Sequence, residues 1–346
     1  MQSSTLNSSS FVPKKLEPTY VTGFADAVSF FRIKIIKSNN FKTGWGVSPS
    51  FSIYLHERDL PLLLNIQSFF GGIGSIHVAR NQRLASFVVA SIKDINNIII
   101  PHFDKYPLLT QKRADFLLFK LVINLMNAGK HLTSEGLIKI LSIKASINKG
   151  LTAELTKAFP NIIPMDRPLF EATEIKDPFW VAGFVYAEGC FGLYVCKGKA
   201  YKTGFTVQLR FSVTQHYRDE ELLKSLVSFL GCGIYYARSE HNFGEFIVTK
   251  FSDITDKIIA FFEKYPIQGV KSLDSTEFKR VAELMKNKDH LSQEGLEKIR
   301  QIKAGMDSPF PPVTPPSYDE RGMGGGRGRI ECLNNSVWFR LYGTII

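Results

Sequence analysis

The sequence predicts an α+β fold of two halves related by a pseudo-twofold axis. Each half is expected to be an αββαββα unit, with a four-stranded antiparallel, saddle-shaped sheet and helices on one face. The first observation is an internal repeat: the segment VTGFADA at Val21 recurs as VAGFVYA at Val181, 160 positions later. The repeat persists, since HLTSEGL at His131 recurs as HLSQEGL at His290, 159 positions later. A nearly constant offset over this length indicates one fold encoded twice.

The other observation is the order of hydrophobic periodicities, which is the same in both halves. Phe31, Ile33 and Ile35 alternate with Arg32 and Lys34, as in a strand with one solvated face. Such sheets leave one face to carry polar side chains or to bind a ligand. The first half is predicted to contain helices 19–28, 59–70, 92–103, 111–127 and 134–149 and strands 31–36, 50–55, 73–79 and 84–90. The second half is predicted to contain a helix ending at 188, a helix 220–230 and strands 193–196, 206–213, 234–238 and 245–249.

Composition shifts along the chain divide it into five segments. Residues 18–149 and 177–306 form the two halves, and 150–176, with three prolines, is the predicted linker. Residues 1–17 are predicted to be a disordered polar tail. Residues 307–346 are rich in proline and glycine and are also predicted to be disordered.

Charge and cysteine content limit the classes of function. The 346 residues carry a net charge of +11, which favours a polyanionic partner, usually nucleic acid. Charge alone does not distinguish a nucleic-acid-binding protein from a basic protein whose charged surface is merely solvated. None of the four cysteines forms a Cys-x-x-Cys pair, so neither a structural zinc site nor a disulfide framework is expected. No apolar run reaches the roughly 18 residues that span a bilayer, so no membrane partner is expected.

The two repeated helices each have a face of small residues. Gly23 and Ala27 are four positions apart, as are Gly183 and Ala187, so each pair shares one helix face. Small residues let two helix backbones approach closely. The sequence therefore predicts that these helices pair along the interface between the halves, with their carboxyl-terminal ends meeting.

The repeated segments TGFADA (22–27) and AGFVYAEGCF (182–191) resemble the two motifs of single-chain LAGLIDADG homing endonucleases, especially the fungal mitochondrial, intron-encoded type. The resemblance covers about residues 18–306. It implies a monomer, located in the mitochondrion, that binds a double-stranded DNA target and hydrolyses phosphodiesters with a divalent metal, normally Mg²⁺. In that family an acid ends each motif helix, and the two acids hold the metals between the scissile phosphates.

The chain departs from the family pattern at one of these acids. Glu188 retains the acid of the second motif, whereas Val28 occupies the corresponding position of the first. Valine has no oxygen to bind a hard cation. Glu188 with the backbone carbonyls of Ala27 and Ala187 is expected to hold one metal weakly. We therefore expect double-strand cleavage to be reduced to nicking or lost.

Two further functions remain open at this stage. One is an intron RNA maturase, since some family members assist splicing and tolerate loss of the acids. The other is a repressor-like DNA binder without catalysis.

Two further residues of the motifs are notable. Tyr186 stands where the family usually has aspartate. Asp26 is retained, but it lies about 200° around the helix from Val28 and is expected to face away from the axis as a hydrogen-bonding group.

The open faces of the sheets are the predicted DNA-binding surface, where arginine can read guanine and glutamine adenine. Two sheets in line would cover roughly two helical turns of about 34 Å each. Lys112 and Lys271 follow the Tyr-Pro repeats, where the family has a basic residue that helps to polarise the catalytic water. The predicted DNA contacts are Arg32, Lys34, Ser38, Ser48, Ser50, Ser52, Tyr54, Arg80, Arg83, Tyr194, Lys197, Gln208, Arg210, Ser212, Thr214 and Arg238.

His131 and His290 are predicted to mark helix starts rather than catalytic groups. Thr133 or Ser134 is the expected amino-terminal cap in the first half, and Ser292 in the second.

Overall fold

The computed structural model describes residues 13–170, 174–198, 202–238 and 242–306. The predicted tails lie outside these residues except for 13–17. The first half contains α1 (Pro18–Val28), β1 (Ser29–Lys37), β2 (Trp45–His56), α2 (Leu60–Phe69), β3 (Ser75–Ala79), β4 (Leu84–Val89), α3 (Ile92–Asp94), α4 (Ile100–Lys105), α5 (Lys112–Asn127) and α6 (Ser134–Ala145). A π-helical turn, Ile95–Ile99, joins α3 to α4.

The second half repeats this order after the short helix α7 (Ala153–Ala158). It contains α8 (Pro178–Glu188), β5 (Gly189–Lys197), β6 (Phe205–His216), α9 (Glu220–Leu230), β7 (Ile234–Arg238), β8 (Phe243–Val248), α10 (Phe251–Asp253), α11 (Ala260–Lys264), α12 (Lys271–Lys286) and α13 (Gln293–Met306). Another π-helical turn, Ile254–Ile259, joins α10 to α11. No helix in the described part of the chain has the length and apolarity needed to cross a membrane.

Each half builds one four-stranded antiparallel sheet with the same topology. The strand orders are β1-β2-β4-β3 and β5-β6-β8-β7. The registers also correspond, since Phe31 lies opposite Phe51 and Phe191 lies opposite Phe211. The α+β fold of two similar halves predicted from the sequence is therefore confirmed.

Two equivalent aromatic clusters attach the helices to one face of each sheet. The ring of Phe31 lies 5.5 Å from that of Phe103 in α4 and 5.5 Å from that of Phe119 in α5. In the second half, the ring of Phe191 lies 5.5 Å from Phe262 and 5.3 Å from Phe278. Burying one such side chain contributes roughly 1.5–3 kcal/mol, and ring pairs at these separations add to it. The helices thus cover one face and leave the other open.

Several element boundaries differ from the sequence prediction. Strand β2 begins at Trp45, five residues before the predicted start at 50. The polar residues of this first part alternate onto the open face, which makes it look like a loop in the sequence. Helix α6 ends at Ala145 rather than at 149. Asn148 and Gly150 there adopt left-handed φ values of 51° and 77°, which are incompatible with a continuing helix.

The described part of the predicted linker packs on the first half. The ring of Phe159 lies 5.4 Å from that of Trp45. The Arg167 guanidinium donates to the Asp115 carboxylate at 2.7 Å and to the Gln111 carbonyl at 3.3 Å. These contacts tie the linker to the amino-terminal end of α5.

The helix caps involve residues anticipated from the repeat. The Thr133 hydroxyl accepts a hydrogen bond from the Gly136 amide at 3.1 Å, and the Ser292 hydroxyl accepts one from the Gly295 amide at 3.0 Å. Of the two candidates in the first half, Thr133 rather than Ser134 is therefore the cap.

His102 gives the first half a pH-dependent stability. The side chain is only 9% exposed, and its Nε2 lies 3.1 Å from the Thr22 hydroxyl. Burial lowers the His102 pKa to about 4 from 6.5. Because the folded pKa lies below the unfolded value, its stabilising effect is complete above pH 6.5 and is lost as pH falls towards 4.

We therefore expect the free energy of unfolding to fall by about 2 kcal/mol more in the wild type than in His102→Phe between pH 7 and pH 5. Phenylalanine is the matched change, since Phe261 occupies the equivalent position of the second half. Urea denaturation at both pH values measures the difference. Equal losses in the two proteins would contradict the assignment to His102.

Candidate functional site

The helices α1 and α8 pack with their backbones in direct contact. A Cβ atom added to Gly23 would lie 2.0 Å from the Trp180 carbonyl oxygen. One added to Gly183 would lie 2.1 Å from the Tyr20 carbonyl oxygen. Both approaches are far shorter than any real Cβ contact, so only glycine fits at either position. The two halves therefore meet through reciprocal glycine contacts.

The carboxyl-terminal ends of the paired helices bring unlike side chains to the middle of the molecule. Ala187 is buried and Ala27 packs against the cores of both halves. The next residues are Val28, which is 3% exposed, and Glu188, which is partly buried. Desolvation by burial raises the Glu188 pKa to about 8, and the positive charge of Lys112 opposes that rise. A metal cation beside Glu188 would stabilise the ionised carboxylate further.

The two predicted basic residues lie around Glu188. The Lys112 Nζ donates to the Ala25 carbonyl at 3.0 Å, and burial lowers the Lys112 pKa to about 8. Lys271 is 9% exposed, and burial also lowers its pKa. Both ammonium groups act electrostatically on Glu188 and favour its ionised form. The structure thus brings one carboxylate and two lysines from distant parts of the chain together.

The donors at this position fit one hard cation better than a symmetric pair. Glu188 supplies a carboxylate, and Ala27 and Ala187 lie in last helical turns, where carbonyl oxygens lack intrahelical partners. Val28 supplies no donor. Within the described residues, no three His, Cys, Asp or Glu side chains converge to form a metal site. A divalent cation held there would therefore need further oxygen ligands from outside the described side chains.

Asp26 has a different role from that of a metal ligand. It is 2% exposed and accepts hydrogen bonds from the Leu109 amide at 2.8 Å and the Thr110 hydroxyl at 2.6 Å. It also accepts one from the Trp180 indole at 2.9 Å. The expected hydrogen-bonding role agrees with these contacts, but the expected orientation away from the axis is wrong, because Trp180 on α8 of the other half reaches the carboxylate. The hydrogen bonds fix the segment that precedes α5.

Two functional candidates, Asp59 and Asp219, were missed by sequence reasoning. The Asp219 carboxylate accepts a hydrogen bond from the Gln111 amide at 2.7 Å, and that of Asp59 accepts one from the Val270 amide at 2.9 Å. Each aspartate therefore binds the helix start of the opposite half. The available signal was an Arg-Asp dipeptide at 58–59 and 218–219, again 160 positions apart.

Most predicted DNA-binding residues lie on the open sheet faces, and Ser38, Arg80 and Arg83 lie in the connections beside the strands, with three corrections. Lys197 lies opposite Phe205 and alternates with Cys196, so its register is that of the helix-covered face, and it is exposed at the end of its strand. Ser52 and Ser212 have the expected register but are only 1% and 7% exposed. Both serines lie on central strands, where Ser52 is flanked by Phe30 and Val88 and Ser212 by Cys190 and Ile247. The exposed members are Arg32, Lys34, Ser48, Arg80, Arg83, Lys197, Gln208 and Arg238, and the partly exposed ones are Ser38, Ser50, Tyr54, Tyr194, Arg210 and Thr214.

Glu245 is an acidic member of the same face in the second half and was not predicted. Its carboxylate accepts hydrogen bonds from the Arg210 Nη2 at 3.0 Å and from the Arg238 Nε at 2.9 Å. The two arginines are therefore held by one acid, which fixes where their remaining donors point.

Comparison with known proteins identifies the family that shares this architecture. The family model described as LAGLIDADG endonuclease matches residues 21–123 and 181–282. The chain is 42% identical over 304 residues to the probable intron-encoded endonuclease 2 of Neurospora crassa, covering 85% of this chain and 66% of that protein. It is 39% identical over 286 residues to the probable intron-encoded endonuclease 3 of the same fungus, covering 82% and 53%. The chain thus spans less than two thirds of either relative.

In comparisons with solved structures, this chain covers almost the whole of the similar chain. The structure of the I-SmaMI LAGLIDADG homing endonuclease bound to cleaved DNA has a TM-score of 0.83 and 45% identity, covering 86% of this chain and 98% of that one. The I-LtrWI LAGLIDADG homing endonuclease bound to target DNA has a TM-score of 0.81 and 39% identity, covering 84% and 97%. A double lysine-to-alanine variant of I-SmaMI, with a TM-score of 0.83, alters positions 159 apart, the same separation as Lys112 and Lys271.

Proposed function

The chain belongs to the LAGLIDADG endonuclease family, and from this membership we propose that it is a site-specific DNA endonuclease. Its substrate is a double-stranded DNA target of roughly two helical turns, and its reaction is metal-dependent hydrolysis of a phosphodiester. The observation that carries this proposal is the meeting of Glu188, Lys112 and Lys271 at the ends of the paired helices. We also propose that it acts as a monomer in the mitochondrion.

In the proposed mechanism, the exposed arginines and lysines of both sheets bind the phosphates and bring the duplex across the helix ends. Glu188 and the carbonyls of Ala27 and Ala187 would hold a divalent cation, with Mg²⁺ as the proposed metal. The cation supplies charge neutralisation and a lowered water pKa. Lys112 and Lys271 stabilise the ionised form of Glu188 and place positive charge beside the scissile phosphates.

Val28 makes the proposed reaction unequal between the two strands. The carboxylate lies on the side of α8, while the corresponding position of α1 has an isopropyl group. We therefore propose that the protein nicks one strand and that its second cut is weak or absent.

Selection of bound sites from random duplexes, followed by a plasmid assay with the selected site, tests this proposal. With MgCl₂ we expect supercoiled plasmid to become open circular, with little linear product, and no product in EDTA. Glu188→Gln is expected to keep binding and lose nicking, because its neutral amide binds a hard cation poorly. Binding without cleavage in the wild type under any divalent metal would contradict the enzymatic part of the proposal.

An RNA maturase is the second candidate, and Val28 is the observation that favours it. A splicing cofactor needs nucleic-acid affinity but no metal-binding acid. Competition between labelled intron RNA and the selected duplex separates the two functions: preferential retention of RNA would support the maturase. Salt dependence would not separate them, because both modes of binding release counterions.

A further inference from the structure

Each half of the molecule caps a helix of the other half. Asp219, in the turn between β6 and α9, accepts from the amide of Gln111, the residue before α5. Asp59, in the equivalent turn between β2 and α2, accepts from the amide of Val270, the residue before α12. Both aspartates are nearly buried, 6% and 4% exposed. A negative group that binds a helix amino terminus satisfies an unpaired amide and interacts favourably with the helix dipole.

The capped helices begin with the two lysines of the site. Lys112 directly follows Gln111, and Lys271 directly follows Val270. The Lys112 side chain then turns to donate to the Ala25 carbonyl at the end of α1. A shift of either helix start would therefore displace an ammonium group that acts on Glu188. Misplacement by about 1 Å can cost about a hundredfold in rate.

The anchoring is less symmetric than the repeat suggests. The segment before α5 is also held by Asp26 of its own half. In the second half the equivalent position is Tyr186, whose hydroxyl hydrogen-bonds Asp59. The amide of Gln268 donates to the Tyr20 hydroxyl at 3.0 Å, another contact that crosses from the first half. Lys271 thus depends more on the opposite half than Lys112 does.

We propose that Asp219 and Asp59 are positioning residues that set Lys112 and Lys271, respectively, from across the interface between the halves. Each basic group of the site is thereby made dependent on correct docking of the opposite half. The proposal rests on the proposed function for the catalytic meaning of the lysines, but not for the geometry.

Strand-specific nicking tests the catalytic consequence. In the Val28→Glu background, which is expected to cut both strands, and on a duplex with a different fluorophore on each strand, we expect Asp219→Ala to lower the rate about 10- to 100-fold with the strand preference of Lys112→Ala. Asp59→Ala should reproduce the preference of Lys271→Ala, with the larger loss. Adding Asp219→Ala to Lys112→Ala should cause little further loss. Asp219→Asn should recover most activity, because its amide oxygen still accepts from Gln111. Additive losses, or the reversed pairing of aspartates and lysines, would overturn the proposal.

A second measurement is independent of cleavage. In protein labelled with ¹³C-lysine, Lys112→Arg and Lys271→Arg assign the two Cε resonances. Asp219→Ala should move the Lys112 resonance and leave that of Lys271 in place, and Asp59→Ala should do the opposite. Equal shifts, or shifts of the same-half lysine, would show general structural damage and overturn the proposal. A crossed pattern in a protein that never nicks DNA would refute the proposed function while supporting the positioning.

Discussion

Val28→Glu is expected to turn the proposed nicking of one strand into cleavage of both strands. The change restores a carboxylate beside Glu188 at the end of α1, so that both helix ends provide oxygen ligands. We expect the rate of second-strand cleavage to rise by about a hundredfold or more, equivalent to about 2.7 kcal/mol of transition-state stabilisation. Conversion of supercoiled plasmid to linear product in MgCl₂ measures it.

Val28→Gln is the matched control, since it has almost the same size without the negative charge. It should remain a nicking protein. Without metal, Val28→Glu should be less stable than the wild type, because the new carboxylate replaces a nearly buried valine next to Glu188. Saturating divalent metal should restore stability by preferential binding to the folded state. If the unmodified protein cuts both strands at equal rates, the interpretation of Val28 is wrong.

Gly23→Ala is expected to have the largest effect on stability. Its Cβ would lie 2.0 Å from the Trp180 carbonyl oxygen, which belongs to the rigid backbone of the partner helix. The helices would have to separate, which opens the junction of the two cores. We expect a loss of about 3 kcal/mol or more in the free energy of unfolding, measured by urea denaturation. Gly183→Ala should have a similar effect through Tyr20.

Gly305→Ala is the control for this substitution. Gly305 lies within α13, and an added Cβ would meet nothing within 4 Å. Since alanine favours helices more than glycine does, this change should stabilise the protein by about 0.5–1 kcal/mol. A similar response of the two variants would contradict the steric argument for Gly23.

The sequence predicts the fold well because its signals are local and occur twice. Alternation in 31–36 and the small-residue spacing in the motif helices depend on near neighbours along the chain. The duplicated order made each assignment in one half a check on the other. The ends of elements are predicted less well. At β2, polar residues on an open strand face resemble loop residues, and at α6 the left-handed φ of Asn148 is not evident from the helical periodicity.

The missed features of the site depend on contacts across the interface. Asp59 and Asp219 each lie in the turn between a strand and the following helix. Nothing in the neighbouring sequence shows that their hydrogen-bond partners lie in the opposite half. Burial of Ser52 and Ser212 likewise depends on what lies across the strand pair. Alternation identifies a face of a sheet, but access at one position depends on the bulk of the cross-strand neighbours.

The attachment of Arg167 to Asp115 and to the Gln111 carbonyl has a consequence for how the halves find each other. Only ten residues separate Arg167 from Pro178, the first residue of α8. A tether this short keeps the tethered partner at an effective concentration on the order of millimolar. Docking of the two halves therefore costs less entropy than association of two separate chains would, and the glycine contacts and crossed hydrogen bonds of the interface have that much less to offset.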